Sequence, residues 1–353
     1  MGSAIGYARA RESVLRICRG GADARTLRLE VLAALRRAIG FDAYAWLITD
    51  PETSVGCAPL ADVPCLPRLP ELIRLKYLTA VNRWTALPAG AVSLAGATGG
   101  DLARSLLWRE LLRGYQVTDI ASSVYRDRFG CWGFLDLWRV GAARFGPADL
   151  EFLGGLAGPL TAALRHALAR TFAPAADDDL MPAGPVVMLL SPGLAVRAQT
   201  PQTQRYLRML VPPDAEDQAP VPAGAYNVAA QLLAAEAGVN ASPPAARVHL
   251  ADGRWLTLRA ARMDTGQAAE GRDVAVSIEP ATADDRVSVF ARACGLSPRE
   301  TELVRYLAAG GGTREVAGQM FVSENTVQDH LKSIFAKTGS RSRRALLARA
   351  LGT

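Results

Sequence analysis

The segment FVSENTVQDHLKSIFAK, Phe321 to Lys337, carries two patterns at once. Val327, Leu331, Ile334 and Phe335 follow one another at steps of four, three and one residues, which gathers them on one face of a helix. Ser323 stands where an N-cap hydroxyl belongs. At about 100° per residue, Asn325, Asp329, Lys332 and Ala336 centre on the opposite face, with Gln328 and Ser333 beside them. A helix with an anchored apolar back and a polar, small-residue front fits a major groove about 12 Å wide. This spacing predicts a base-reading helix.

The flanks agree. Upstream, Ser297-Pro298-Arg299-Glu300 sets a hydroxyl at the N-cap, proline at the first helical position and glutamate three residues after the cap, a capping box. The helix it opens runs through Leu303, Val304 and Leu307 and stops at Gly310-Gly311-Gly312. Thr313 is expected to cap a second helix, Arg314 to Phe321, with Val316, Ala317 and Met320 inward and Val322-Ser323 as the turn that follows. Downstream, Arg341, Arg343 and Arg344 join Lys332 and Lys337 as candidate phosphate contacts. From Leu296 onward nine basic and five acidic residues leave a net charge of +4, most of the chain's formal +6.

The run Leu296-Ser297-Pro298-Arg299-Glu300, Val316-Ala317, Val322-Ser323, Thr326-Val327, His330-Leu331, Lys337 and Ser340-Arg341-Ser342-Arg343 resembles the LuxR-type helix-turn-helix family. The resemblance implies that the helix from Ser323 is the recognition helix, with Thr326, Gln328, Asp329, Lys332 and Ser333 facing DNA. It also implies that the last helix, with Leu346, Leu347, Ala350 and Leu351, supports dimerisation. Many family members carry a basic residue where Gln328 stands, and Asp329 adds a negative charge near the groove. Asp329 either accepts from cytosine N4 or repels non-specific DNA. The candidate DNA-binding set is Ser323, Asn325, Thr326, Gln328, Asp329, Lys332, Ser333, Lys337, Arg314, Arg341, Arg343 and Arg344.

The whole chain of 353 residues is 50% apolar and 21% charged, enough to bury further cores. Leu27, Val31, Leu35 and Ile39 recur every four residues in a helix that Gly40 ends. Ala43 to Ile48 reads as a strand stopped by the Asp50-Pro51 turn. Val117 to Val124 and Trp132 to Val140 read as strands about a Tyr125 to Gly130 turn, and a helix follows from Pro147. With Gly40-Phe41-Asp42 and Gly130-Cys131-Trp132-Gly133, residues 10–172 resemble a GAF domain, which implies a small-molecule pocket. Trp46, Trp84, Trp108, Trp132 and Trp138 fall in this region, and Trp46, Trp108, Trp132 and Trp138 are the candidate pocket residues, against the simpler reading of core packing.

Residues 173–184, with Asp177-Asp178-Asp179, read as a linker. Beyond it, Val186 to Leu190, Leu194 to Ala198, an Ala-rich helix near Ala223 to Ala237, a hairpin of Arg247 to Leu250 and Trp255 to Ala261 about Asp252-Gly253, and a strand from Asp273 to Glu279 resemble a PAS-like domain at 185–281. A connector, 282–295, leads into the helix-turn-helix module at 296–353. The expected fold is α+β and multidomain: a GAF-like α/β sensor, a PAS-like α/β domain and an all-α four-helix module.

Five scattered cysteines without a C-x-x-C pair fit a reducing cytoplasm. No charged-then-apolar leader is seen, and stretches such as Phe152 to Leu164 are too short to span a bilayer, so no membrane partner is expected. His166, His249 and His330 lack ligand-spaced partners, so neither metal nor cofactor is expected. Hydrolase elbow, phosphate-loop and zinc-protease motifs are absent, so no catalytic residue is assigned. The residues point to a bacterial sequence-specific DNA-binding transcription regulator, cytoplasmic, with double-stranded DNA as partner. It is expected to pair as a homodimer at least on DNA, and the GAF-like or PAS-like domain is expected to take a small-molecule ligand. The alternatives are a constitutive regulator whose N-terminal domains make protein contacts, and a sensory enzyme.

Overall fold

A computed structural model describes residues 4–141, 143–172, 185–210, 222–250, 254–263 and 272–352. The expected linker at 173–184, most of the proline-rich loop that follows Leu210 and the Asp252-Gly253 turn lie outside these residues.

Helices α1 (Ala4–Arg19) and α2 (Ala24–Ala38) come first. The side chain of Asp23 caps α2 by accepting the backbone N–H groups of Arg25 and Thr26, and Gly40 leaves it at φ +67°. A five-stranded sheet follows from β1 (Ala43–Thr49), β2 (Gly56–Asp62), β3 (Ala91–Ser93), β4 (Val117–Asp127) and β5 (Gly130–Val140). Helices α3 (Leu69–Leu78), α4 (Leu94–Ala97) and α5 (Leu106–Glu110) lie between its strands, and α6 (Pro147–Arg170) closes the unit. The order is β2-β1-β5-β4-β3, every neighbour antiparallel. Strands β4 and β5 are longer than the sequence pattern suggests, because Arg126 and Asp127 continue pairing beyond a bulge. The bulge also lets Trp132 leave the face taken by Phe134 and Trp138. Gly130 and Gly133 sit where a Cβ would meet the Pro51 and Leu47 carbonyl oxygens at 2.4 and 2.7 Å, so the glycines of that motif admit the turn after β1 and β1 itself at close range.

The second unit holds β6 (Val187–Leu190), β7 (Val196–Gln199), α7 (Thr203–Leu210), α8 (Ala223–Glu236), β8 (Ala245–His249), β9 (Trp255–Arg262) and β10 (Val274–Pro280). Its order, β7-β6-β10-β9-β8, is the first sheet's order counted from its own first strand. Helix α9 (Ala283–Ala293) fills the expected connector, and α10 (Pro298–Ala308), α11 (Thr313–Gln319), α12 (Glu324–Thr338) and α13 (Arg343–Leu351) form the C-terminal module. Gly312, not Thr313, is the N-cap of α11, and that helix stops before Met320 and Phe321, shorter than expected.

Two apolar cores run across the unit boundaries. One joins the α3 side of the first sheet to α8 and the second sheet. The other joins α1, α2 and α6 to α9 and the C-terminal module, with Phe172 stacked on Trp255 and edge-on to Phe290. Polar bonds fix the junction. The fully buried Asp50 accepts both guanidinium arms of Arg247 at 2.6 and 2.7 Å and the Arg247 backbone N–H at 2.8 Å. Burial pushes the Asp50 carboxyl up, but the Arg247 bonds outweigh it and hold it below the usual carboxylate range. Arg247 also holds Glu52, whose carboxylate accepts from Ser288 on α9 at 2.9 Å.

Asp50→Ala, which strands a buried guanidinium, is expected to destabilise the fold by about 3 to 5 kcal/mol in denaturant titration. A folded-state pKa below the unfolded one means the pair's contribution is present above the unfolded Asp value, near 3.8, and is lost as pH falls below it.

Candidate nucleic-acid interface

Local rules build the module. The Ser297 hydroxyl accepts the Glu300 N–H at 3.3 Å, while the Glu300 carboxylate accepts the Ser297 N–H at 2.6 Å. Gly310, at φ +91°, turns the chain after α10. Val316, Ala317 and Met320 are buried as expected. Ser323 caps α12 by accepting the Thr326 N–H at 3.1 Å, and Gly339 ends it at φ +68°. Val327, Leu331 and Ile334 are buried and Phe335 is half-buried.

The opposite face is open to solvent. Asn325, Gln328, Asp329, Lys332 and Ala336 are exposed together. Lys332 and Asp329 form a surface ion pair at 3.0 Å, with side chains 77% and 73% exposed. Such a pair is worth little and yields readily to other partners. Ser323 and Thr326 share a hydroxyl contact at 2.9 Å, so both serve the cap at this edge of the face.

Two candidates are tied elsewhere. Ser333 donates to Glu300 at 2.6 Å, and the Lys337 ammonium lies 2.6 and 2.8 Å from the two Glu300 oxygens. The buried Glu300 is thus a cap residue and a peg between α10 and α12. Burial raises its pKa, but the Lys337 bond, the Ser297 N–H and the Ser333 hydroxyl outweigh this and bring it down to about 2. Arg314, Arg341 and Arg344 are exposed, and half-buried Arg343 donates to the Gly311 carbonyl. Arg349 turns inward, its guanidinium donating to the Phe172 and Ala169 carbonyls. The groups that stay outward are those of the α12 front and the arginines flanking it.

The last helix is partly spent within the chain. Leu346 and Ala350 are fully buried in the core shared with α9 and α10, while Leu347 and Leu351 are half-buried. Arg286 of α9 donates to the Ala350 carbonyl, and Arg305 of α10 pairs with Asp284 at 2.8 Å.

The four candidate pocket tryptophans do not share one space. Trp46 and Trp132 belong to the core under α2 and α6, whereas Trp138 and Trp108 belong to the α3 side. On that side lies a cluster the sequence reading missed. Lys76 and Asp136, 2% and 1% exposed, pair at 2.8 Å. Asp136 also accepts from Trp84 Nε1 at 3.0 Å and from the Ser122 hydroxyl at 2.6 Å. The signal for it was one acid in the apolar strand Gly133 to Trp138, and the one lysine that lies outside the C-terminal module. A cleft of about 230 Å³ also opens where the units meet, lined by Glu52, Arg247, Arg259, Asp284, Asp285 and Arg305 among others.

Glu300→Ala is expected to cost about 2 kcal/mol of stability, because it leaves Lys337, Ser333 and the Ser297 N–H without their acceptor. In the unmodified protein the Glu300 contribution is present above its ordinary pKa of 4.5 and is lost as pH falls from there towards 2. Thermal unfolding across that range, compared between the two proteins, checks both points.

Residues 295–350 match the family described as bacterial regulatory proteins, luxR family. A probable HTH-type transcriptional regulator, GfsR of Streptomyces halstedii, is 38% identical over 96 residues, which are 27% of this chain and 34% of that protein. The chain thus spans about a third of that relative's length. Among solved structures, SdiA in complex with octanoyl-rac-glycerol is 13% identical at a TM-score of 0.37, covering 99% of this chain and 97% of that one. The VqmA-ligand-DNA complex of Vibrio cholera is 18% identical at 0.21, covering 48% and 81%. Those scores carry no detail over to this chain. The family match and the helix order agree that residues 295–350 form a GerE/LuxR-type helix-turn-helix domain.

Proposed function

We propose that this protein is a sequence-specific transcription regulator that inserts α12 into the major groove of double-stranded DNA. The observation that carries the reading is the combination on α12 of a buried back, Val327, Leu331 and Ile334, with an exposed polar front, Asn325, Gln328, Asp329 and Lys332. Gln328 and Asn325 offer amide pairs suited to adenine, and Lys332 offers a donor suited to guanine. Arg314, Arg341 and Arg344 hold the phosphates on either side. Ser333 and Lys337 fix the angle of α12 through Glu300 and are positioning residues.

We read the first sheet unit as GAF-like and the second as PAS-like, and assign them the input. Support comes from the two five-stranded antiparallel sheets, the first of which carries the buried Lys76–Asp136–Trp84 cluster on its α3 side. Helix α9 is the route outward. It touches the first unit through Ser288 to Glu52 and Arg292 to the Phe129 carbonyl, and the module through Arg286. A ligand that binds one arrangement of α9 better than another shifts the module's population accordingly. The regulator works as a homodimer on two half-sites about one helical turn apart, with Leu347 and Leu351, half-buried against the chain's own core, the part of α13 still open to a partner.

The full-length protein is expected to enrich a partly palindromic site from a random DNA pool. Lys332→Ala is expected to weaken binding of that site about tenfold with its thermal midpoint kept, since the side chain is solvated. Arg341→Ala and Arg344→Ala are each expected to lower affinity for all sequences and to reduce the salt slope by about one. An unenriched pool, or an unchanged affinity in all three variants, contradicts the reading.

A further inference from the structure

Phe321 is 95% exposed and holds a backbone φ of +56°, in the turn between α11 and α12, two residues before the Ser323 cap. Both features are unfavourable alone. A bulky side chain in the left-handed region is strained, and a fully solvated aromatic ring forfeits its burial. The turn is otherwise well made: the Phe321 N–H bonds to the Gly318 carbonyl at 3.2 Å and the Val322 N–H to the Ala317 carbonyl at 3.0 Å. The backbone is therefore held in this shape by its neighbours, and the ring is presented outward beside the N-terminal end of α12.

We propose that Phe321 is a DNA contact, an apolar finger that covers a thymine methyl or a deoxyribose face at the edge of the site. The proposal rests on the reading of α12 as the recognition helix. Its surface continues that interface, since Ser323, Glu324 and Asn325 beside it are exposed too. The chemistry suits the position: thymine offers the one methyl group in the major groove, and apolar side chains, phenylalanine included, pack against it.

The test uses full-length Phe321→Asn and Phe321→Gly, both of which accept a positive φ, so the fold is kept and the thermal midpoint holds or rises. Affinity for the selected duplex is expected to fall about tenfold at every salt concentration, with the slope of log K against log salt unchanged, because an apolar contact releases no counterions. Replacing dT by dU in the duplex reproduces the loss if the methyl is the contact and leaves wild-type affinity intact if the sugar is. Equal affinity of the wild type and both variants overturns the proposal and leaves the ring to a protein partner. A wild type that binds no duplex overturns the recognition-helix reading itself.

Discussion

The buried carboxylate of Asp50 is the point on which the arrangement of the three parts turns. Its partner, Arg247, lies 197 residues away in sequence, and the fully bonded contact, with the apolar cores around it, offsets the chain entropy of closing that distance. The same arginine reaches Glu52, and Glu52 reaches Ser288 on α9. One short polar chain therefore passes from the first sheet through the second to the helix that carries the DNA module. Around it the apolar cores merge, so that α9 has no independent place to sit.

From that constraint the exposure of the C-terminal module follows. The inner side chains of α13, together with Arg349 and Arg305, are used against α9 and the first unit. The front of α12 and the turn before it are left outside. Position and function thus meet in α9, a helix with a capping box of its own, Thr282 and Asp285, and with arginines reaching both ways. In the proposed reading, movement of that helix is how either sheet alters the presentation of α12.

What could be read from the sequence was local. Ser297 with Glu300, Ser323 and the stripe Val327, Leu331 and Ile334 act over a few residues, and each does in the structure what its spacing predicts. Pairing strands such as β4 and β5 were legible too, apart from their ends. What escaped depended on distant partners. Asp50 beside proline looked like a turn, since nothing nearby announces Arg247. Trp132 and Trp138 part to opposite faces because parity along β5 is broken by a bulge that the residues Cys131-Trp132-Gly133 do not reveal. Ser333 and Lys337 lie near the outer face by phase, yet Glu300 draws both inward, an interaction set by how α10 crosses α12. Helix α1 was missed because only Ala10 and Val14 are buried along it.

A recognition role for α12 depends on where DNA touches the chain. Amide hydrogen exchange of the full-length protein, with and without its selected duplex, measures this directly. New protection is expected to concentrate from Phe321 through Ser333 and near Arg341 to Arg344, with a smaller change along α9. Protection confined to either sheet unit, with the α12 amides unaffected, would contradict that role.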